Sequence, residues 1–211
     1  DSFITTYDSK GTVVKQMRVS NQPLLIQNYF AQFPGPHTAV VESTGSWYWL
    51  SDLLQKHNVE LTLAHATRLK AISAAKVKTD KVDSDILAQL LRANLIPEAH
   101  KISADRRGPR DLMRTRLRLI SKCATCKNSI GRMLEKFNLD DIAGLDQLYQ
   151  LQARVFEEQI ALLEQQVHIV ECTLHPLLIP NEDIQRLLWI PGIGKVNAFT
   201  IYTEIDDIER L

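Results

Sequence analysis

The stretch HTAVVESTGSWYWLSDLLQKHNVELTL, residues 37–63, decides the fold. An apolar β-branched run at 38–41 reads as a buried strand, and Glu42 stands at its carboxyl end. Residues 46–56 read as a helix, and residues 59–63 as a second strand. Upstream, residues 3–7 and 12–19 are strand-like runs on either side of Asp8-Ser9-Lys10-Gly11, a hairpin turn by composition. Leu24, Leu25, Tyr29 and Phe30 recur at helical spacing, and Pro34-Gly35-Pro36 stops that helix. Downstream, two helices follow, the second over residues 81–93. The order β-β-α-β-α-β-α-α predicts a mixed sheet with helices packed on it.

The next stretch is helical. From Leu119, apolar or small residues fall at Cys123, Cys126, Ile130, Met133 and Phe137. From Phe156 they fall at Ile160, Leu163, Val167, Val170, Leu174 and Leu177. Both series alternate steps of four and three, which is a heptad pattern. Residues 138–146 are the turn between them, so the pair predicts an antiparallel coiled-coil arm. After Pro180, the run Ile190-Pro191-Gly192-Ile193-Gly194-Lys195 joins two further helical runs. Three domains are expected: 1–104, 105–180 and 181–211.

The chain has 211 residues, 45% hydrophobic and 24% charged, enough apolar content to fill a core. No apolar run reaches the roughly 20 residues of a membrane span. The opening DSFITTYDSKG carries no signal-peptide pattern. Three cysteines are too few and too odd in number for a disulfide framework, so a reduced cytoplasmic protein is expected.

The net charge of zero hides an asymmetry. Residues 101–136 hold eleven Lys/Arg and three acids. Within that block Arg110, Arg114, Arg118 and Lys122 are spaced by four, on one face of a helix, with Arg106, Arg107 and Arg116 nearby. Such a block suits a polyanion partner; it also suits a solvated helix face.

Candidate chemistry gathers at three places. Glu42 ends an apolar strand, where open α/β sheets place their ligands. Asp80 and Asp83 lie three residues apart at a helix start, on one face. A divalent cation would offset their repulsion; taken alone, a helix cap and a first-turn acid favoured by the helix dipole explain them more simply. Asp85 points elsewhere. In the turn at 190–195, Gly192 and Gly194 would let the backbone approach a phosphate beside Lys195, unless this is a plain tight helix–helix turn. Cys123 and Cys126 form a CxxC on the apolar stripe, which favours packing over zinc or redox chemistry.

Three motifs stand in order: Val41-Glu42-Ser43-Thr44-Gly45-Ser46-Trp47-Tyr48, then Lys78-Thr79-Asp80-Lys81-Val82-Asp83, then Ile190-Pro191-Gly192-Ile193-Gly194. Together they resemble the transposases of the insertion-sequence 110 family, which includes the 1111 subgroup and the Piv-type DNA invertases. The resemblance implies a RuvC-like, RNase H-type catalytic domain, a coiled-coil arm and a C-terminal transposase domain with a helix-hairpin-helix-like turn. It implies four magnesium-binding acids in the order Asp, Glu, Asp, Asp; Glu42 matches the second, Asp80 the third and Asp83 the fourth. It also implies a serine nucleophile, a structured noncoding guide (bridge) RNA and DNA as partners, and assembly into a homodimer or higher oligomer through the arm. The first aspartate and its strand, and the serine, have no counterpart here. The chain is therefore expected to be an incomplete, inactive copy whose sheet lacks the first strand. A RuvC-like metal-dependent nuclease and a noncatalytic nucleic-acid-binding or assembly protein are the alternative classes.

Overall fold

The computed structural model describes residues 1–44, 46–72, 79–207 and 209. Gly45 and Lys78 of the sequence motifs lie outside them. The chain is mixed α/β and mostly helical, and it divides into two compact units, Asp1–Lys101 and Ile102–Leu211.

The first unit holds four strands in two pairs. β1 (Ser2–Tyr7) and β2 (Val13–Val19) form an antiparallel hairpin with Ser2 opposite Val19. Its turn is built by Asp8, whose side chain accepts from the amides of Lys10 (2.9 Å) and Thr12 (2.8 Å). Gly11 sits there at φ +86, and a Cβ in its place would meet the Arg92 guanidinium at 2.8 Å. The positive φ is what selects glycine there, since the end of the flexible Arg92 side chain could move aside.

β3 (His37–Glu42) and β4 (Val59–Ala64) are parallel, running from His37 opposite Val59 to Glu42 opposite Ala64. Parallel neighbours need a crossover, and α2 (Trp47–Lys56) supplies it, packing on β4. The observed strand extends one residue past the expected apolar run, so Glu42 is its last paired residue. The core of this unit is Val19, Ile26, Tyr29, Leu54, Val59 and Leu61. Ile26 and Tyr29 come from α1 (Pro23–Phe30), and the Tyr29 hydroxyl is satisfied by Thr6 Oγ1 at 2.7 Å. α3 (Ala66–Ile72) and α4 (Asp80–Arg92) complete the unit, and α4 packs against both β1 and β3.

The second unit is helical. α5 (Ala104–Phe137) and α6 (Gln147–Leu178) are 34 and 32 residues long and lie side by side. They run antiparallel: Met113 clusters with Val170 and Leu174, whereas Met133 clusters with Ala153. Asn138, at φ 52, ends α5, and the Asp146 carboxylate caps α6 by accepting from Leu148 and Tyr149. A short 3-10 turn, Ile142–Gly144, lies between. The expected stripe is buried at Cys123, Cys126, Met133, Val167, Val170 and Leu174, but Phe137 at its end is 41% exposed, and Leu177 is 62% exposed with Leu178 buried in its place. Pro176 sits inside the helix just before that one-residue shift. α7 (Glu182–Leu188) and α8 (Lys195–Ile205) pack on each other, and α8 packs on α5. Leu174, Leu178, Ile184, Ala198 and Phe199 form the largest core here. Burying a leucine or isoleucine contributes about 1.5–3 kcal/mol. Among the described residues no helix is long and apolar enough to cross a membrane.

Candidate functional site

Glu42 is half-buried at the carboxyl end of β3. The amide of the next residue, Ser43, donates to the Ala64 carbonyl at 2.9 Å, which ties the strand end to β4. Asp80 and Asp83 occupy the first turn of α4, and the cap is Thr79, whose hydroxyl accepts from the Val82 amide at 3.3 Å. The capping requirement is thereby met without Asp80. Asp80 Oδ2 instead accepts from Arg18 Nη2 of β2 at 2.9 Å, in a pair with side chains 60% and 70% exposed. Asp83 is half-buried one turn further on.

The elements carrying these acids meet, because α4 packs on β3. Carboxylate oxygens are the donors a magnesium ion prefers. Yet among the described residues no group of three or more His, Cys, Asp or Glu is gathered closely enough to hold a metal ion.

Asp85 faces the hairpin. It accepts from the Tyr7 hydroxyl (2.7 Å), Gln16 Nε2 (3.2 Å) and Gln89 Nε2 (2.8 Å), and Thr5 and Ser84 share a hydrogen bond at 2.8 Å beside it. The bond to Asp85 holds the Tyr7 hydroxyl above its ordinary pKa, with the Gln89 bond pulling the other way. This network fixes α4 on β1 and β2. Sequence spacing separated Asp85 from Asp83 but gave no sign of its hairpin partners Tyr7 and Gln16, which are 78 and 69 residues away.

The basic helix divides in two. At its start, Arg106 pairs with Asp206 (3.3 Å), donates to the Asp206 carbonyl and lies 4.2 Å over the Tyr202 ring. Ser103 holds the same Asp206 carboxylate with its hydroxyl at 2.7 Å. Arg110 and Arg114 converge on Glu204: Arg110 Nε donates to Oε2 (2.9 Å), Arg114 Nε to Oε1 (2.6 Å) and Arg114 Nη2 to Oε2 (2.9 Å). Burial pushes the Glu204 carboxyl up, but the bonds from Arg114 and Arg110 and their charges outweigh it, leaving a pKa below the ordinary value. Arg107 donates to the Ile102 carbonyl at 3.2 Å, and Arg116 pairs with Glu171 at 2.6 Å. Further along, Arg118, Lys122 and Arg132 are exposed on α5 and enter none of these pairs. Glu204 and Asp206 were missed in the sequence because they lie about ninety and a hundred residues from the arginines they hold.

At the other end of α8, Gly194 is the N-cap and Lys195 the first helical residue. Gly192 adopts φ +89, and a Cβ at Gly192 or Gly194 would meet nothing within 4 Å. Lys195 Nζ lies 3.4 Å from His175 Nε2, at the rim of a groove of about 280 Å³ floored by Met113, Leu174 and Phe199.

Comparison with known proteins adds two findings. Residues 3–139 match the insertion-sequence 110 DEDD family, described as transposase. The transposase for insertion sequence element IS1111A of Coxiella burnetii (strain RSA 493 / Nine Mile phase I) is 22% identical over 151 residues, which cover 63% of this chain and 42% of that protein. The chain thus spans less than half the length of the curated relative it matches.

Proposed function

This chain belongs to the insertion-sequence 110 family of DEDD transposases, and from that premise we propose that it is part of a DNA recombinase that moves an insertion sequence by RNA-guided strand exchange in the prokaryotic cytoplasm. The observation that carries the reading is the family match over residues 3–139, which takes in the strands, all but Ser2 of β1, and the whole of α5. On this reading the first unit is a RuvC-like catalytic domain. The arrangement supports it: hairpin β1–β2 and parallel pair β3–β4 are separate sheets, and α4 packs on one strand of each.

Glu42, Asp80 and Asp83 are the acids on which strand exchange would rest, with magnesium as the cation of the assembled enzyme. A cation at such a site would supply positive charge for the phosphodiester undergoing attack. The protein's own contribution is placement: β3 holds Glu42 at a strand end, Thr79 fixes the first turn of α4, and the Asp85 network keeps that helix seated. Arg18 would have to release Asp80 for it to serve as a ligand.

DNA and a structured guide RNA would be met by Arg118, Lys122 and the turn of Gly192, Gly194 and Lys195. Recognition by such residues rests on phosphates, and sequence is left to base pairing. α6 carries a second line of exposed apolar residues at Leu148, Leu151, Val155, Leu162 and Ile169. Their spacing of three, four and seven suits a homodimer through the arm.

The test is an excision and strand-exchange assay in cells carrying the insertion sequence with its own reading frame. Glu42→Gln, Asp80→Asn or Asp83→Asn should each lower product at least about 100-fold while protein abundance stays constant. Full exchange in all three would overturn the assignment. The Arg18–Asp80 pair favours a second reading, a nucleic-acid-binding assembly protein without chemistry of its own. Retained exchange together with loss of binding on substitution of Arg118 and Lys122 would select it.

A further inference from the structure

The groove of about 280 Å³ in the second unit lies where α5, α6 and α8 meet. Its floor is apolar, formed by the buried side chains of Met113, Leu174 and Phe199. Its rim is charged, and the charges do not balance. The one carboxylate that lines it, Glu171, is committed to Arg116, whose Nε donates to Oε1 at 2.6 Å.

That commitment leaves two basic groups facing each other. Lys195 Nζ, from the first turn of α8, stands 3.4 Å from His175 Nε2 of α6. Both side chains are exposed, and neither pairs with an acid among the described residues. The ammonium can donate to the imidazole only while that ring nitrogen carries no proton. With a proton there, two positive charges would stand against each other, and an anion between them would turn that repulsion into two attractions.

The apolar floor narrows the anion. A bare phosphate would meet the two bases and leave Met113, Leu174 and Phe199 uncovered. A phosphate joined to a ring would satisfy both parts of the groove, and a thioether such as that of Met113 packs well against a ring edge. The volume sits just under the roughly 300–1,000 Å³ of small-molecule sites, which suits one ring and its anion. A base inside a duplex has its faces covered and is not available to such a groove. We infer that this groove binds a single nucleotide, its phosphate between Lys195 and His175 and its base on the apolar floor. The choice of a nucleotide among ring-bearing phosphates rests on the reading of the chain as a DNA-handling transposase.

The test is calorimetric titration of the 211-residue chain with thymidine 5′-monophosphate, thymidine and inorganic phosphate. The monophosphate should bind at least about 10-fold more tightly than either fragment. Lys195→Gln and His175→Gln should each weaken it about 10- to 100-fold. Buffers of different ionisation heat should show proton uptake on binding by the parent and none by His175→Gln. Val196→Phe, at the rim, should block the groove by bulk with its charges intact, and thermal melting should show all three variants folded. Unchanged affinity in Lys195→Gln and His175→Gln overturns the inference, as does inorganic phosphate binding as tightly as the nucleotide. A parent that binds duplex DNA but no monophosphate overturns this inference alone. A parent that binds the monophosphate but no DNA supports the groove and overturns the DNA-handling reading; one that binds neither overturns both. In the supporting case a 12-nucleotide oligothymidylate separates the two sources. Displacement of the monophosphate assigns the groove to a nucleotide turned out of a strand, and failure to displace it assigns the groove to a free one.

Discussion

Two helices are fastened to their units by different chemistry. α4 sits on the β1–β2 hairpin through neutral donors, Tyr7, Gln16 and Gln89, gathered on Asp85. α8 sits on α5 through guanidinium–carboxylate pairs, with Glu204 taking Arg110 and Arg114 and Asp206 taking Arg106. Hydrogen bonds from neutral donors to a carboxylate depend on geometry and are less affected by salt than ion pairs. A charge clamp responds to ionic strength and competes with any other anion, a phosphate included. The helix bearing two of the candidate catalytic acids is therefore held mainly by bonds that salt and phosphate do little to, the exposed Arg18–Asp80 pair aside. The helix behind the glycine turn is held by the same arginines a nucleic acid would seek.

The largest effect should come from neither fastening. Leu174 is 1% exposed in the core under α8, and Leu174→Ala should cost about 2–5 kcal/mol in urea denaturation. If the double change Arg110→Gln and Arg114→Gln cost as much, charge rather than packing would dominate there. The expected loss is about 1–2 kcal/mol, because 32% exposure of the Glu204 side chain lets water replace part of what is removed. It should shrink in 1 M salt. Asp85→Ala should cost a similar amount with no such salt dependence, since its partners are uncharged.

The same contrast predicts opposite pH limits. Glu204 binds its proton more weakly folded than unfolded. Its contribution is present above about 4.5, the ordinary carboxyl value, and is lost as pH falls through the lower folded value. Tyr7 holds its proton more tightly folded. Its contribution is present below about 10 and is lost as pH rises through the higher folded value. Pulsed hydrogen exchange should show α8 loosening first on the acid side and α4 on the alkaline side; loosening of both together would break the comparison.

The smallest stability effect should fall on the exposed cations that pair with none of the described residues. Arg118, Lys122 and Arg132 changed together to Gln should leave stability within about 0.5 kcal/mol. They should lower the slope of log affinity against log salt by about two to three. A slope moved instead by Arg110 and Arg114 would mean that α8 yields to nucleic acid.

Much of this was legible in the sequence, and the reason is local. The turn chemistry of Asp8 to Gly11, the stop at Pro34-Gly35-Pro36 and the switch from strand to helix period after Glu42 each act within a few residues. The two heptad series placed Cys123, Cys126, Val167 and Val170 in the seam for the same reason. Leu177 failed because Pro176 precedes a one-residue shift of the buried face. Carboxylates at 42, 80 and 83 were visible as residue types, but the Arg18 pair on Asp80 depends on a contact across 62 positions. The arginine stripe was right in spacing and incomplete in meaning: periodicity shows which side chains share a face and says nothing of the acids that arrive from another helix.

The placement of the cysteines has a practical consequence. Cys123 and Cys126 are buried in the α5–α6 seam, and Cys172 is exposed on α6. A maleimide dye offered to the native chain should therefore attach once, at a known point on one long helix, with no engineering. Opening the seam uncovers two more thiols. The number of dyes per chain then counts parted arms directly, and the rate at which it climbs from one to three times how often the two helices separate.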